Sequence, residues 1–337
     1  MPNAFICGVA GERLSDEERS FVRAANPAGL ILFARNCRSA DQIRALVADF
    51  EDAAGGDQLL TLIDQEGGRV QRLKPPIARL LPPAGRLGAL HAEAPDQGCR
   101  VAFLISRLVA EELTALGINT NCAPVLDLQF RGAHDVIGNR AYGLDPARVI
   151  ALGRAVARGL IAGGVVPVAK HVPGHGRANA DSHFDLPVVD ARRGDLEATD
   201  FAPFRALADL PAAMTAHVVF ADIDPEAPAS TSAIVTRDVV RGHIGFDGLL
   251  MSDDLSMRAL TGSLRDRAEA VIRAGSDVAL HCNGDLAEMR RVAEGVPPLA
   301  GKALQRFERA LAAARHTEPF DHDEAEAALQ GVLAKVA

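Results

Sequence analysis

Fourteen residues, Lys170-His-Val-Pro-Gly-His-Gly-Arg-Ala-Asn-Ala-Asp-Ser-His183, bring together one lysine, three histidines, an aspartate and two glycines. They follow an apolar run, Val165-Val-Pro-Val-Ala169, so the titratable groups leave a strand end and enter a loop. Such density suits chemistry better than a solvated surface. Asp181 and His183 stand two residues apart. A carboxylate there stabilises the imidazolium and raises the histidine pKa toward working pH, as a general acid/base requires. A second run, Leu249-Leu-Met-Ser-Asp-Asp-Leu-Ser-Met257, delivers Asp253 off its end, where a carboxylate can attack an anomeric carbon. Strand alternation turns Asp254 the other way, and it is expected to cap the next helix. A third cluster is Asp64-Gln-Glu-Gly-Gly-Arg-Val-Gln-Arg72, joined by Arg140 in Ile137-Gly-Asn-Arg140. Its aspartate could accept two sugar hydroxyls and its guanidinium forks could donate to others; structural salt bridges are the alternative for the arginines.

The same loop could in principle support two other chemistries. His171, His175, Asp181 and His183 could ligate zinc or iron, but there is no helical H-x-x-x-H with a nearby glutamate, and glycines flank His175. Pro173-Gly-His-Gly176 could cradle a phosphate, yet its spacing is not that of a Walker loop and no Gly-Lys-Ser/Thr follows. Neither a metal nor another cofactor is expected. With no Trp and one Tyr, Tyr142, stacking platforms for a long polysaccharide are scarce, so a single sugar held by hydrogen bonds is the better fit.

These groups need a scaffold that converges strand ends. Eight short apolar runs, near 4–9, 29–34, 59–64, 118–127, 165–171, 212–219, 248–253 and 277–283, alternate with amphipathic segments. Examples of the latter are 15–25, opened by the capping box Ser15-x-x-Glu18, 39–54 with Ile43, Leu46, Val47 and Phe50 on one face, and 146–163. The pattern predicts an α/β fold, a single-domain (β/α)8 TIM barrel, in which reacting groups sit at the C-terminal strand ends. Runs three to eight end in Asp64-Gln-Glu66, Asp127, Lys170-His171, near His217, Ser252-Asp253-Asp254 and His281-Cys-Asn283. One such residue is ordinarily a cap or turn; six together converge on a site. A doubly wound sheet would normally carry a glycine-rich phosphate turn after its first strand, and Gly8-Val-Ala-Gly11 is not one. Residues 1–337 read as one catalytic domain, with 74–88 as a long βα loop and 296–337 as peripheral C-terminal helices near 300–315 and 323–335. The segment from His171 to a helix near 198 reads as a mobile functional loop.

The chain of 337 residues is 48% hydrophobic, enough for a large core, and its formal charge is −8 without basic clusters. Nucleic-acid and membrane partners are therefore not expected, and the ligand should be a small molecule. No run approaches a membrane span, and the N-terminus lacks a signal-peptide pattern. Five cysteines without a C-x-x-C pair fit a reducing cytoplasm. A monomer is expected.

Three motifs together, Asp64-Gln-Glu-Gly-Gly-Arg-Val-Gln-Arg-Leu73, Lys170-His-x-Pro-Gly-His-Gly-x4-Asp-Ser-His183 and Ser252-Asp-Asp-Leu-Ser-Met257, resemble family 3 glycoside hydrolases over almost the whole chain. The nearest likeness is to the bacterial β-N-acetylglucosaminidases of peptidoglycan recycling. The resemblance implies Asp253 as nucleophile, His183 as acid/base with Asp181 as its partner, and Asp64, Arg72, Arg140, Lys170 and His171 as binders of N-acetylglucosamine (GlcNAc). It implies hydrolysis, with retention, of GlcNAc β-1,4-linked to 1,6-anhydro-N-acetylmuramic acid (anhydroMurNAc), with or without peptide, in the cytoplasm. Val172 stands where relatives often carry Phe. A histidine in place of the second carboxylic acid also leaves phosphorolysis open, since it repels a phosphate acceptor less. A non-catalytic sugar-sensing barrel is the alternative of another class.

Overall fold

The computed structural model describes residues 1–56, 59–130, 132, 134–182, 184–313 and 315–334. Eight parallel strands close into a barrel in sequence order. They are β1 (Asn3–Cys7), β2 (Pro27–Leu32), β3 (Leu60–Ile63), β4 (Thr120–Asn121), β5 (Val166–Val172), β6 (Ala212–Thr215), β7 (Leu249–Asp254) and β8 (Val278–His281). Alternation of side chains sorts each strand between two cores. Ile6, Ile31, Leu62, Val168, Met214 and Met251 fill the barrel interior, whereas Phe5, Leu30, Ile63, Ala169, Ala213 and Leu250 pack outward.

Helices α1 (Asp16–Ala25), α2 (Ala40–Ala54), α3 (Ala84–Glu93), α4 (Pro95–Thr114) and α5 (Pro146–Ala162) cover the first half. In α1 both arms of the Ser15/Glu18 capping box are made. In α2, Ile43, Leu46, Val47 and Phe50 form the buried face. Helix α3 begins at Ala84, so the loop expected over 74–88 ends earlier, at Pro83. Short helices Arg193–Ala198 and Ala202–Ala206 follow β5, and the helix after β6, Val235–His243, is wound as a π-helix.

Helices α6 (Leu264–Ala274), α7 (Leu286–Glu294), α8 (Gly301–Ala313) and α9 (His322–Leu333) complete the chain. Within the segment expected to be peripheral, α9 lies along α4. Helix α8 has a different place: Phe307, Ala310 and Leu311 join the cluster that fills the barrel interior. Arg306 of α8 binds Asp277, just before β8, at 3.0 Å, and Asp247, just before β7, at 2.6 Å. Helix α8 therefore closes the N-terminal mouth, leaving the C-terminal mouth for the site.

Candidate active site

Two register shifts shape the C-terminal mouth, one between Lys170 and Val172 of β5 and one between Met251 and Asp254 of β7. Bulges of this kind re-aim side chains at the rim of a barrel. Downstream of β5, Gly174 takes φ +147°, and a Cβ on Gly176 would stand 2.1 Å from the Leu128 carbonyl oxygen. Glycine at 176 thus lets the loop press against the segment after β4. That contact places His175 beside Asp127.

A cavity of about 250 Å³ opens in this mouth, walled by Asp64, Arg72, Arg140, Lys170, His171 and Asp253 among others. Six of the eight residues singled out from the sequence are thereby brought together. Asp181 is half-buried and is not part of the lining, although its neighbour Ser182 is. His183 lies outside the described residues.

One wall is a chain of alternating charges. Asp64 accepts from Lys170 Nζ at 2.7 Å and from Arg72 at 2.9 Å. Lys170 Nζ also meets Glu66 at 2.7 Å, and Glu66 receives a bidentate fork from Arg140 at 2.8 and 2.9 Å. Burial by itself would raise the Asp64 carboxyl, but Lys170 and Arg72 outweigh it and hold the pKa far below the usual range. Burial likewise opposes charge on Lys170, and Asp64 and Glu66 overcome it. The arginines are thus both ion-paired and part of the wall. They differ in what they have left to offer: Arg140 spends three of its nitrogens on Glu66 and the Val136 carbonyl, whereas the buried Nε of Arg72 has no protein partner among the described residues. The Arg72 guanidinium stacks 4.8 Å from the Phe33 ring centroid, and Phe33 adds one aromatic face to the cavity.

A second group forms around Asp127, which the sequence marks as a strand end without assigning it a partner. It is buried and accepts from the backbone N–H of His171 at 3.2 Å and of His175 at 2.7 Å. It also receives His171 Nδ1 at 2.7 Å, so the carboxylate fixes the proton on Nδ1 and leaves Nε2 for a ligand. Burial raises the Asp127 carboxyl and His171 more than reverses the shift. His175 is buried with its pKa pushed down to about 4, by burial first and then by His171. Its Nε2 lies 3.4 Å from Ser182 Oγ. Among the described residues no group of three or more His, Cys, Asp or Glu is placed to hold a metal ion.

Asp253 faces these groups from β7. It is 7% exposed, and its Oδ1 accepts the Asp254 N–H at 2.8 Å. Burial raises its carboxyl, but His171, the Asp254 N–H and Lys170 outweigh it and hold the pKa below the usual value, so it is ionised. Asp254 departs from both expectations. The bulge breaks the alternation, so Asp254 also lines the cavity. It does not cap the next helix, which is opened by Ser263 with Asp266. It accepts instead from Ser256 N–H and Cys282 N–H, each at 3.0 Å, and ties the β7 and β8 loops together. Glu66, Asp127 and His175 carry more of the site than the sequence reading gave them. For Glu66 and Asp127 the available signal was position at a strand end beside a basic motif.

Residues 4–312 match the N-terminal domain of glycosyl hydrolase family 3. The chain belongs to that family. Among its family 3 relatives is a protein named beta-hexosaminidase from Alkalilimnicola ehrlichii, 43% identical over 282 residues, covering 82% of this chain and 80% of the relative. Among solved structures, NagZ from Neisseria gonorrhoeae in complex with N-trifluoroacetyl-D-glucosamine superposes with a TM-score of 0.83 at 34% identity, covering 99% of this chain and 96% of that one. The same gonococcal protein in complex with zinc ion gives a TM-score of 0.82 at 32% identity, covering 99% and 96%. The family 3 barrel and its C-terminal mouth thus agree with the fold read from the eight apolar runs.

Proposed function

We propose that this family 3 protein is a retaining exo-β-N-acetylglucosaminidase, a β-hexosaminidase that removes the non-reducing GlcNAc from GlcNAc-1,6-anhydroMurNAc, with or without peptide. It would work as a monomer in the cytoplasm, in cell-wall recycling. The observation that carries the reading is an ionised, nearly buried Asp253 facing the Arg72–Asp64–Lys170–Glu66–Arg140 chain across a cavity of about 250 Å³. That volume suits one sugar better than an oligosaccharide. The names of the relatives point to the same sugar class, and five free cysteines accord with a reducing compartment.

In this reading the charged wall and His171 Nε2 grip the sugar hydroxyls. Oδ1 of Asp253 accepts the Asp254 N–H, so in this reading Oδ2 is the oxygen that attacks the anomeric carbon. As that bond forms, the bond to the aglycone oxygen breaks and His183, partnered by Asp181, gives this oxygen its proton. His183 then takes a proton from water, whose oxygen displaces Asp253 and restores the β configuration. A neutral imidazole does this without adding negative charge beside the nucleophile.

The test is product analysis after incubation with GlcNAc-anhydroMurNAc, in excess chelator and with inorganic phosphate present. Free GlcNAc, released first as the β anomer, together with anhydroMurNAc is the expected outcome. GlcNAc-1-phosphate would mean phosphorolysis, binding without turnover would mean a sensor, and a rate lost to chelator and restored by zinc would bring back a metal-dependent mechanism.

A further inference from the structure

Near Asp253, and outside the lining of the cavity, stands a histidine that the proposed chemistry does not use. His217 follows β6 and is fully buried. Its Nε2 lies 3.0 Å from the Asp254 carbonyl oxygen and its Nδ1 lies 2.7 Å from Ser230 Oγ. A carbonyl oxygen only accepts, so Nε2 must carry the proton. Burial, partly offset by Asp253, lowers the His217 pKa and keeps the ring neutral. With one proton on the ring, Nδ1 is a lone pair and Ser230 must donate to it. Ser230 is itself fully buried, and its backbone N–H is bonded to the Ala216 carbonyl at 3.2 Å, so the hydroxyl is built into the end of β6.

We infer that Ser230 and His217 form a positioning relay for the nucleophile: Ser230 O–H to His217 Nδ1, His217 Nε2–H to the Asp254 carbonyl, and Asp254 N–H to Asp253 Oδ1. The relay rests on the assignment of Asp253 as nucleophile. It fixes the residue that supplies the only backbone donor to Asp253 among the described residues, at the place where the register shift has freed β7 from regular pairing with β8. The charged and titratable groups facing His217 are Asp253, Asp254 and His171. His217 touches no substrate in this account. It acts by holding Oδ2 on the line of attack and by keeping the Asp254 N–H on Oδ1, which favours the carboxylate over the acid.

The experiment compares His217→Leu, His217→Gln and Ser230→Ala on an aryl N-acetylglucosaminide. The readouts are the pH dependence of kcat/KM, the affinity for GlcNAc as competitive inhibitor, and labelling by a fluoro-glycosyl inactivator. His217→Leu is expected to lose about 10- to 100-fold in kcat/KM, the cost of a small misplacement of a reacting group. Its GlcNAc affinity should stay within about two-fold, because the sugar-binding wall is untouched, and its acidic limb should move to higher pH. In His217→Gln the amide nitrogen can reach the Asp254 carbonyl, so most of the rate and the acidic limb should return. Ser230→Ala removes one hydrogen bond and should cost about five-fold, with no further loss when placed on His217→Leu. A His217→Leu enzyme with wild-type kcat/KM and an unmoved acidic limb overturns the relay, and so does a Ser230→Ala enzyme with both unchanged should His217→Leu fail to fold. If Asp253 is labelled while these variants are silent, the relay falls and the nucleophile assignment stands. If the label lands elsewhere, the assignment fails and the relay falls with it.

Discussion

Asp64, Asp127 and Asp253 are buried in the mouth of the barrel, and the Glu66 side chain is largely covered there; all four carboxyls have pKa values held below their usual range. In each, burial pushes toward the acid; Lys170 with Arg72 or Arg140 outweighs it at Asp64 and Glu66, and histidine and backbone N–H contacts outweigh it at Asp127 and Asp253. Their contribution to stability is therefore present above the unfolded carboxyl range of about 3.9 to 4.3 and is lost as pH falls through the lower folded values. His175 works over a different window. Its folded pKa of about 4 lies below the unfolded value of about 6.5, so the unfolded chain takes up the proton first as pH falls between these limits. Stability should decline across that interval, before the carboxylates matter. In Tm measured against pH, His175→Asn should be less steep than wild type between these limits, though not flat, because His217 and His281 are lowered too. An unchanged slope would mean that His175 is not held neutral. A second expectation concerns His183. If it protonates the departing oxygen, His183→Ala should slow cleavage of the disaccharide, a poor leaving group, far more than cleavage of an aryl glycoside. Equal losses on both substrates would make it a binding residue. The identities of the reacting groups are readable in the sequence because each leaves the end of an apolar run. Their partnerships are not, since Asp127 and His171 are 44 positions apart and no local spacing announces the pair.

At the scale of elements, the start of the loop after β5 is fixed by packing rather than by sequence spacing. Gly176 lies so close to the Leu128 carbonyl that Gly176→Ala forces the backbones apart. The expected cost is about 1–3 kcal/mol of stability. A fall of about 10- to 100-fold in kcat/KM should accompany it, because His175 and Asp127 lose register. Denaturant unfolding and steady-state kinetics on one preparation check both, and a stable, fully active variant would show that the loop can part from the β4 segment freely. Most barrel strands were legible because a short apolar run bounded by turn residues and alternating with helical patterns reads as a buried strand; β4, the polar pair Thr120–Asn121, was legible only as part of the longer run near 118–127. The short pairings Gln65–Gly67 with Val70–Gln71 and Val188–Val189 with Val219–Phe220 were not, since two or three residues carry no period. Asp254 was misread for a related reason: alternation assumes an unbroken pleat, and a bulge cannot be seen in residue types alone.

Across the whole molecule, stability and chemistry are separated between the two mouths of the barrel. Helix α8 plugs the N-terminal mouth with Phe307, which is 2% exposed within the inner cluster, while the proposed chemistry occupies the C-terminal mouth. Phe307→Ala should therefore cost about 3–5 kcal/mol of stability. It should leave KM and kcat near wild type at a temperature where the protein is folded. A variant that is stable yet catalytically impaired would contradict this division. The terminal helices show where pattern reading stops: amphipathic periodicity gives their extent, but which surface α8 covers is decided by Phe307 fitting the open end of the barrel and by Arg306 meeting Asp277 and Asp247.

Asp253 is the residue on which the proposed chemistry turns. The most direct measurement is inactivation by a 2- or 5-fluoro N-acetylglucosaminyl donor with a good leaving group, followed by proteolysis and mass spectrometry of the labelled peptide. The expected result is one glycosyl group per chain, on Asp253 in the peptide that contains Leu249–Asp254, and no labelling of the Asp253→Ala variant. Label recovered on Asp254 or Asp64, or turnover retained in Asp253→Ala, would contradict it.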